Sequence, residues 1–273
     1  AVVNTIRHFS DYVLGKGVVI AKDTPGFIAN RTGLYGAMRT LEFLTSNQFT
    51  IEEIDAITGP VIGRPKSATF RTMDISGIDI LAKVTRDLSL RLERKEEGQL
   101  FQVPPLIEEL VRRGWIGSKA QQGFYKKEHT PKGNRILVLD PATVSYREWR
   151  APQLPALDAA WKIHDVRHRV RKLFLGNDRV GEFLRATLGQ TILYAAEVTS
   201  EMAHSFNDVD RAMRWGYGWD LGPFELLEVI GVDQFIEACQ FEKTIPLAQN
   251  INVSRDPSTP DLQILRLAKT RQP

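Results

Sequence analysis

The feature that most constrains this chain is that it can be laid against itself. Adding 155 to positions in the first half places Glu42 on Glu197, Thr50 on Ser205, Glu53 on Asp208, Asp55 on Asp210 and Gly63 on Gly218. One residue is then dropped, and an offset of 154 places Phe70 on Phe224, Asp74 on Glu228, Gly77 on Gly231 and Asp79 on Asp233. Each copy reads as a long helix, a capped short helix, a Gly-containing turn and a third helix. The cap chemistry recurs as TIEE from Thr50 and SFND from Ser205. The predicted fold is therefore mainly α, in two tandem helical repeats, and 273 residues leave room for a core in each. The copies differ where chemistry is concerned. At the offset of 155 Asn30 falls opposite Arg185, and nothing in the second copy resembles DTPGF, so one repeat is expected to carry a site and the other to be structural.

Asn30 draws attention because of where the periodicity puts it. Thr24 and Pro25 fit the N-cap and first position of a helix, since Thr accepts from an orphan N–H and Pro has none to lose. The stripe that follows runs through Phe27, Leu34, Ala37, Met38, Leu41 and Leu44, with Asn30 inside it. A buried amide without partners costs about 1–3 kcal/mol. Asn30 is thus expected either to bond to nearby backbone or to point into a cleft.

Upstream, Val2, Ile6, Phe9 and Val13 mark a helix closed by Gly15, and GVVIAK, Gly17–Lys22, has the β-branched texture of a buried strand. Little in the remaining pattern could pair with that strand, so it is expected to belong to a sheet outside this chain. Downstream, one helix is predicted from about Ser67 to Leu90, running through Gly77; another is launched by Pro104-Pro105 and ended by Gly114. Between Lys126 and about Val180 the strand-like RILVLD and the Pro-containing RAPQLPALD read as a connection, before helical periodicity returns over Glu182–Phe206. Past Lys243 the pattern fades, and LQILRLAK reads as a short helix.

Several functional classes are excluded. With 36 Lys and Arg against 33 Asp and Glu, the net charge of +3 gives no reason to expect nucleic acid, and VRHRVRKLF reads as a solvated helix face. No run of about 18 apolar residues suggests a membrane span, the single Cys239 forms no internal disulfide, and AVVNTIRHFS lacks a secretory pattern. A cytoplasmic protein is expected. His164 and His168 share a helix face but lack an acidic third ligand, so no metal is expected. Gly216, Gly218 and Gly222 have the wrong spacing for a dinucleotide turn, and no strand precedes them. Cofactor-binding residues are therefore not expected in this chain.

The stretches KDTPGFIANR, GRPKSATFRTMDISGID, GWIGSKAQQGFYKK and WDLGPFELLEVIGVD resemble the C-terminal part of 3-hydroxyacyl-CoA dehydrogenases. The wording GRPKSATF and the duplicated helical domain look most like the bacterial bifunctional fatty-acid oxidation proteins, in which an enoyl-CoA hydratase domain shares the chain. The resemblance implies oxidation of an (S)-3-hydroxyacyl-CoA with NAD in fatty-acid β-oxidation, the NAD being bound by an N-terminal Rossmann domain absent from this sequence. It makes residues 1–22 the end of that domain, 23–127 the first repeat with a 6-phosphogluconate dehydrogenase C-terminal-like fold, 128–180 a linker with some strand, and 181–273 the second repeat. It implies that Asn30 polarises the substrate 3-oxygen and that Pro25, Gly26 and Phe27 line the acyl pocket. Phe70 and Phe224 read as core. By resemblance the two repeats form an intramolecular pseudo-dimer, and the chain alone is expected to be inactive. Two rivals stand beside this reading: a purely structural helical dimerisation module, and the helical domain of a β-hydroxyacid dehydrogenase, against which the long helix lacks the required Lys.

Overall fold

The computed structural model describes residues 2–46, 48–131 and 133–240, and among these the chain is mainly helical. The first half contains α1 Val2–His8, α2 Ala29–Thr45, α3 Ile51–Ile57, α4 Phe70–Ser76, α5 Ile78–Arg91, α6 Lys95–Gln99 and α7 Pro105–Arg112. Three strands follow, β1 Tyr125–Thr130, β2 Gly133–Asp140 and β3 Ser145–Glu148. The second half contains α8 Pro155–Ala160, α9 Val166–Phe174, α10 Arg179–Leu184, α11 Gln190–Met202, α12 Phe206–Tyr217, α13 Pro223–Ile230 and α14 Val232–Gln240. The expected helix LQILRLAK and the stretch beyond Lys243 lie outside the described residues.

Local chemistry sets many of the boundaries. The Thr50 hydroxyl accepts from the N–H of Glu53 at 3.2 Å while the Glu53 carboxylate accepts from Thr50 N–H at 2.9 Å, a reciprocal cap on α3. Ser205 does the first half of this for α12, accepting from Asp208 N–H at 3.2 Å. Gly63 and Gly218 both end short helical segments in the left-handed region, with φ, ψ of 73°, 34° and 66°, 31°. Gly77 and Gly231 are closer still to each other, at 98°, 120° and 90°, 126°. That backbone suits only glycine, so the single helix expected over Ser67–Leu90 is instead two, α4 and α5, meeting at Gly77.

Two other expectations are corrected. Residues 17–22 form no strand; the segment is held on the helical body by Lys22 N–H donating to Met202 O at 3.0 Å and Lys22 Nζ to Ser200 O at 2.6 Å. The sheet lies elsewhere, as an antiparallel β1-β2-β3 meander in which Tyr125 pairs with Val138 and Leu139 with Tyr146. It docks on the helices of the first half at two buried carboxylates. Glu52 accepts from Nη1 and Nη2 of Arg147 at 2.6 and 2.7 Å, and Asp74 accepts from the N–H groups of Phe124 and Tyr125 at 2.8 and 2.9 Å. The glycines of GWIGSKAQQGF make this possible, because a Cβ at Gly123 would stand 2.1 Å from Asp74 Oδ1.

The two halves share a core. α2 packs on α11 and α12, Tyr35 stacks on Tyr194 with ring centroids 4.2 Å apart, and Phe101 meets both rings edge-on. Phe70 and Phe224 are buried in this body, as expected, against Phe124 and Phe206. The segment read as a connection carries α8 and α9 besides its strands. The basic run of α9 is only partly a wet face. Arg169 donates to the carbonyls of Val61 and Pro60, and Arg171 to those of Val229 and Ile230, so these cations close helix ends. By contrast α1, with the π-turn Phe9–Val13 after it, buries none of its residues, and Val2, Ile6 and Val13 are more than half exposed.

Candidate functional site

The site begins with a delayed helix start. Phe27 N–H closes a turn onto Thr24 O at 3.0 Å, with Gly26 at φ 75° and Phe27 at φ 49°, both left-handed. Two such residues in succession cannot be helical, so α2 starts at Ala29 and not at Thr24-Pro25 as the capping pattern predicts. A second turn repeats the device before α4, where Ala68 also has φ 49° and its N–H reaches Pro65 O at 2.9 Å. The residues that follow match as well, Ile28 at φ −89°, ψ −61° and Thr69 at −90°, −61°. The α4 terminus is capped: Asp55 accepts from the N–H groups of Thr69, Phe70 and Arg71 and from the Tyr125 hydroxyl. No side chain caps α2.

The late start changes the phase of the helix. Asn30 is exposed, not part of the buried stripe, and Phe27 is 57% exposed. The buried face carries Arg31, Thr32, Leu34, Tyr35, Met38, Leu41 and Leu44. Asn30 stands on the wall of a cleft of about 580 Å³ enclosed by α2, α4, α5 and the 216–219 segment. Its Oδ1 accepts from the Tyr217 hydroxyl at 3.3 Å. Burial raises the pKa of Tyr217, so the hydroxyl stays protonated and donates, which leaves both Nδ2 hydrogens of Asn30 for a ligand. Gly33 lets Tyr217 approach, since a Cβ there would stand 2.6 Å from the ring. Pro25, Gly26 and Phe27 form the turn that leads into α2 and are not among the residues lining the cleft.

Behind Asn30 its neighbour anchors the helix. The Arg31 guanidinium, 2% exposed, donates from Nε to Glu97 at 2.9 Å and to the Tyr194 hydroxyl at 3.0 Å, and from Nη2 to Glu97 at 2.5 Å and Glu201 at 2.6 Å. Tyr194 in turn donates to Glu97 at 2.6 Å, and Arg94 bridges Glu97, Glu197 and Glu201. Burial works against the charge of Arg31, but Tyr194 and the two carboxylates outweigh it and raise its pKa. This network joins α2, α6 and α11 directly beneath the site. Sequence reasoning missed it, along with Tyr217, Trp219 and Arg64 in the cleft wall. The available signals were the Arg that follows Asn30, the acidic run after α5, and the aromatic pair within GYGWDLG.

Among the described residues no group of three or more His, Cys, Asp or Glu could hold a metal, and no helix is long and apolar enough to cross a membrane. The described residues also contain no parallel sheet and no Gly-rich strand-to-helix turn, so they provide no site fitting a dinucleotide.

The sequence and the fold recur in known proteins. Residues 26–127 and 181–249 match the family "3-hydroxyacyl-CoA dehydrogenase, C-terminal domain", and the chain belongs to that family. It is 45% identical over 229 residues to a probable 3-hydroxyacyl-CoA dehydrogenase of Bacillus subtilis, a match covering 84% of this chain and 28% of the relative. A second protein of that description, from Deinococcus radiodurans, is 41% identical over 48% of this chain and 37% of its own length. The chain thus spans about a third of these relatives. A putative fatty acid oxidation complex trifunctional enzyme of Rickettsia prowazekii is 24% identical over 84% of the chain and 30% of that protein. The crystal structure of 3-hydroxybutyryl-CoA dehydrogenase from Escherichia coli K12 superposes with a TM-score of 0.55 at 20% identity, covering 83% of this chain and 58% of that one, and shares the fold.

Proposed function

We propose that this chain is the substrate-binding and association region of an NAD-dependent (S)-3-hydroxyacyl-CoA dehydrogenase of fatty-acid β-oxidation, acting in the cytoplasm. The observation that carries the reading is Asn30: an amide on the wall of a large cleft, oriented by Tyr217 and with its donor side uncommitted, in a chain of this family. Its Nδ2 would donate to the 3-oxygen of the substrate and hold it as charge develops there. A single positioned donor of this kind is worth about 3 kcal/mol in a transition state. Pro25, Gly26 and Phe27 would belong to the acyl-binding surface through the exposed Phe27 ring rather than through the cleft walls. Nothing among the described residues accommodates NAD, and no step is assigned to it; a Rossmann domain would carry it, and an enoyl-CoA hydratase domain is a further proposed partner. The exposed apolar face of α1 is where such a domain would pack.

The division into residues 1–22, 23–127, 128–180 and 181–273 is part of the same reading, with the two helical units as copies of one repeat packed as a pseudo-dimer. It is supported by the matched glycine conformations and by Asp55 and Asp210, which receive the N–H groups of Phe70 and Phe224 at 2.7 and 2.8 Å. The test is NADH consumption with acetoacetyl-CoA by the chain alone, by the chain plus a separately expressed Rossmann half, and by the complete enzyme carrying Asn30→Ala. Activity is expected only in the complemented mixture, and the variant should lose on the order of 100-fold in turnover with unchanged thermal stability. A variant as active as its parent would leave the structural module as the reading.

A further inference from the structure

The last turn of α12 meets the first half of the chain at three successive residues. Trp215 lies against Gly17, where a Cβ would stand 2.5 Å from Cζ3 and 2.7 Å from Cη2 of its ring. Gly216 faces Ala29, and a Cβ on it would stand 3.7 Å from that of Ala29. Tyr217 packs over Gly33 and donates to Oδ1 of Asn30 at 3.3 Å. Gly218, left-handed at φ 66°, ends the helix there, so Tyr217 is its last residue. The segment 17–22 is tied to the second half again by Lys22, which donates to Ser200 O and Met202 O at the end of α11. Positions two apart on a helix point about 200° apart, so the chain wraps the end of α12, with Gly17 on one side and Asn30 on the other.

This arrangement occurs once. At the offset of 155 the counterparts of Trp215, Tyr217 and Asn30 are Pro60, Ile62 and Arg185, which can make neither contact. A contact that served only to pack two copies together would recur on both sides of their interface. Nor does Asn30 need the bond to offset burial, because it is exposed. What the bond fixes is which end of the amide faces the cleft: the oxygen and nitrogen are alike in size and opposite in hydrogen-bonding character. We propose that Trp215 and Tyr217 are positioning residues for the reaction proposed for Asn30. Tyr217 holds Oδ1, Trp215 seats the segment 17–22 that leads Asn30 into the cleft, and the second half thereby completes the site. The inference rests on the dehydrogenase reading of Asn30, and it replaces the expectation that the second copy is purely structural. A donor fixed before the substrate arrives is worth more than one that must be ordered during reaction.

The experiment is steady-state kinetics of the complete enzyme with acetoacetyl-CoA and NADH. It compares Asn30→Ala, Tyr217→Phe and Trp215→Ala, and each of the last two combined with Asn30→Ala. Tyr217→Phe is expected to lower kcat about 10-fold, the worth of one neutral hydrogen bond, with KM within about 2-fold of the parent. Trp215→Ala removes the seat but not the hydroxyl, and should lower kcat by about 3-fold or more, again with KM kept. Neither should lower kcat further when Asn30 is already alanine, whereas damage to folding or packing would add to that loss. Should Trp215→Ala fail to fold, Gly17→Ala, whose new Cβ displaces the ring, is measured in its place. The inference is overturned if either variant keeps the parent's kcat, or if its loss is undiminished in the Asn30→Ala background. Either outcome, with Asn30→Ala itself impaired, leaves the dehydrogenase reading standing; an Asn30→Ala enzyme as active as its parent removes both.

Discussion

At the scale of single residues, Arg31 and Asn30 show how adjacent positions on one helix divide structure from chemistry. Asn30 is left with its donor free, while Arg31 is consumed by Glu97, Tyr194 and Glu201. Breaking a buried ion pair from one side costs about 3–5 kcal/mol, because the remaining charge stays desolvated. Glu97 would keep Arg94 at 3.0 Å and the Tyr194 hydroxyl, and Glu201 is 42% exposed, so the lower end applies. Arg31→Leu is therefore expected to destabilise by about 3 kcal/mol, and Arg31→Leu with Glu97→Leu to recover most of that. Urea denaturation of both single variants and the double variant gives the coupling directly. The sequence shows Arg31 and the acidic run but not their pairing, because Glu97 sits in a charged stretch that reads as surface and its partner is 66 positions away.

At the scale of elements, α4 and α13 each hang on a buried aspartate, Asp55 and Asp210. Burial, with the nearby Glu225 charge added, pushes Asp210 up to about 7 against the opposing hydrogen bond from Phe224 N–H. Burial similarly takes Asp55 and Asp74 to about 6. Between the unfolded value of 3.8 and the folded value of about 7, native Asp210 holds a proton that the unfolded chain has lost. Its contribution is thus fully present below the unfolded value and fades as the pH rises through about 7. Urea midpoints at pH 5 and pH 8 should fall for the parent and fall less for Asp210→Asn, which keeps an acceptor for Phe224 N–H but cannot ionise. An equal fall in both proteins would remove Asp210 as the source. These caps and the turns at Gly63 and Gly218 were readable because their chemistry is local: TIEE, SFND and those two glycines announce themselves within a few residues. The break at Gly77 was not, because helical periodicity on both sides masks a one-residue reversal of φ.

At the scale of the molecule, the halves are tied by α2 against α11 and α12, by Arg31 to Glu201, and by Arg169 of α9 reaching the carbonyls of Pro60 and Val61. A protease site introduced at residues 150–153, between the sheet and α8, should cut the chain without separating it. The two fragments are expected to co-elute on size exclusion and to part only in denaturant. Fragments that elute separately without denaturant would show that the shared core does not hold the halves together.

The sequence by itself determined the mainly helical class, the paired caps and the turns at Gly63 and Gly218, since each depends on neighbours a few positions away. Only the tertiary structure decided what Asn30 faces. Counting Phe27 as the first residue of the stripe put Asn30 inside, but Phe27 lies in a left-handed turn before the helix, and the true buried face starts at Arg31. The partner that orients Asn30 is 187 positions away, and the aromatic face beside Arg64 is Trp219, from the second half of the chain. No periodicity within one segment can encode such a contact, because it is set by how two separately formed helical units pack.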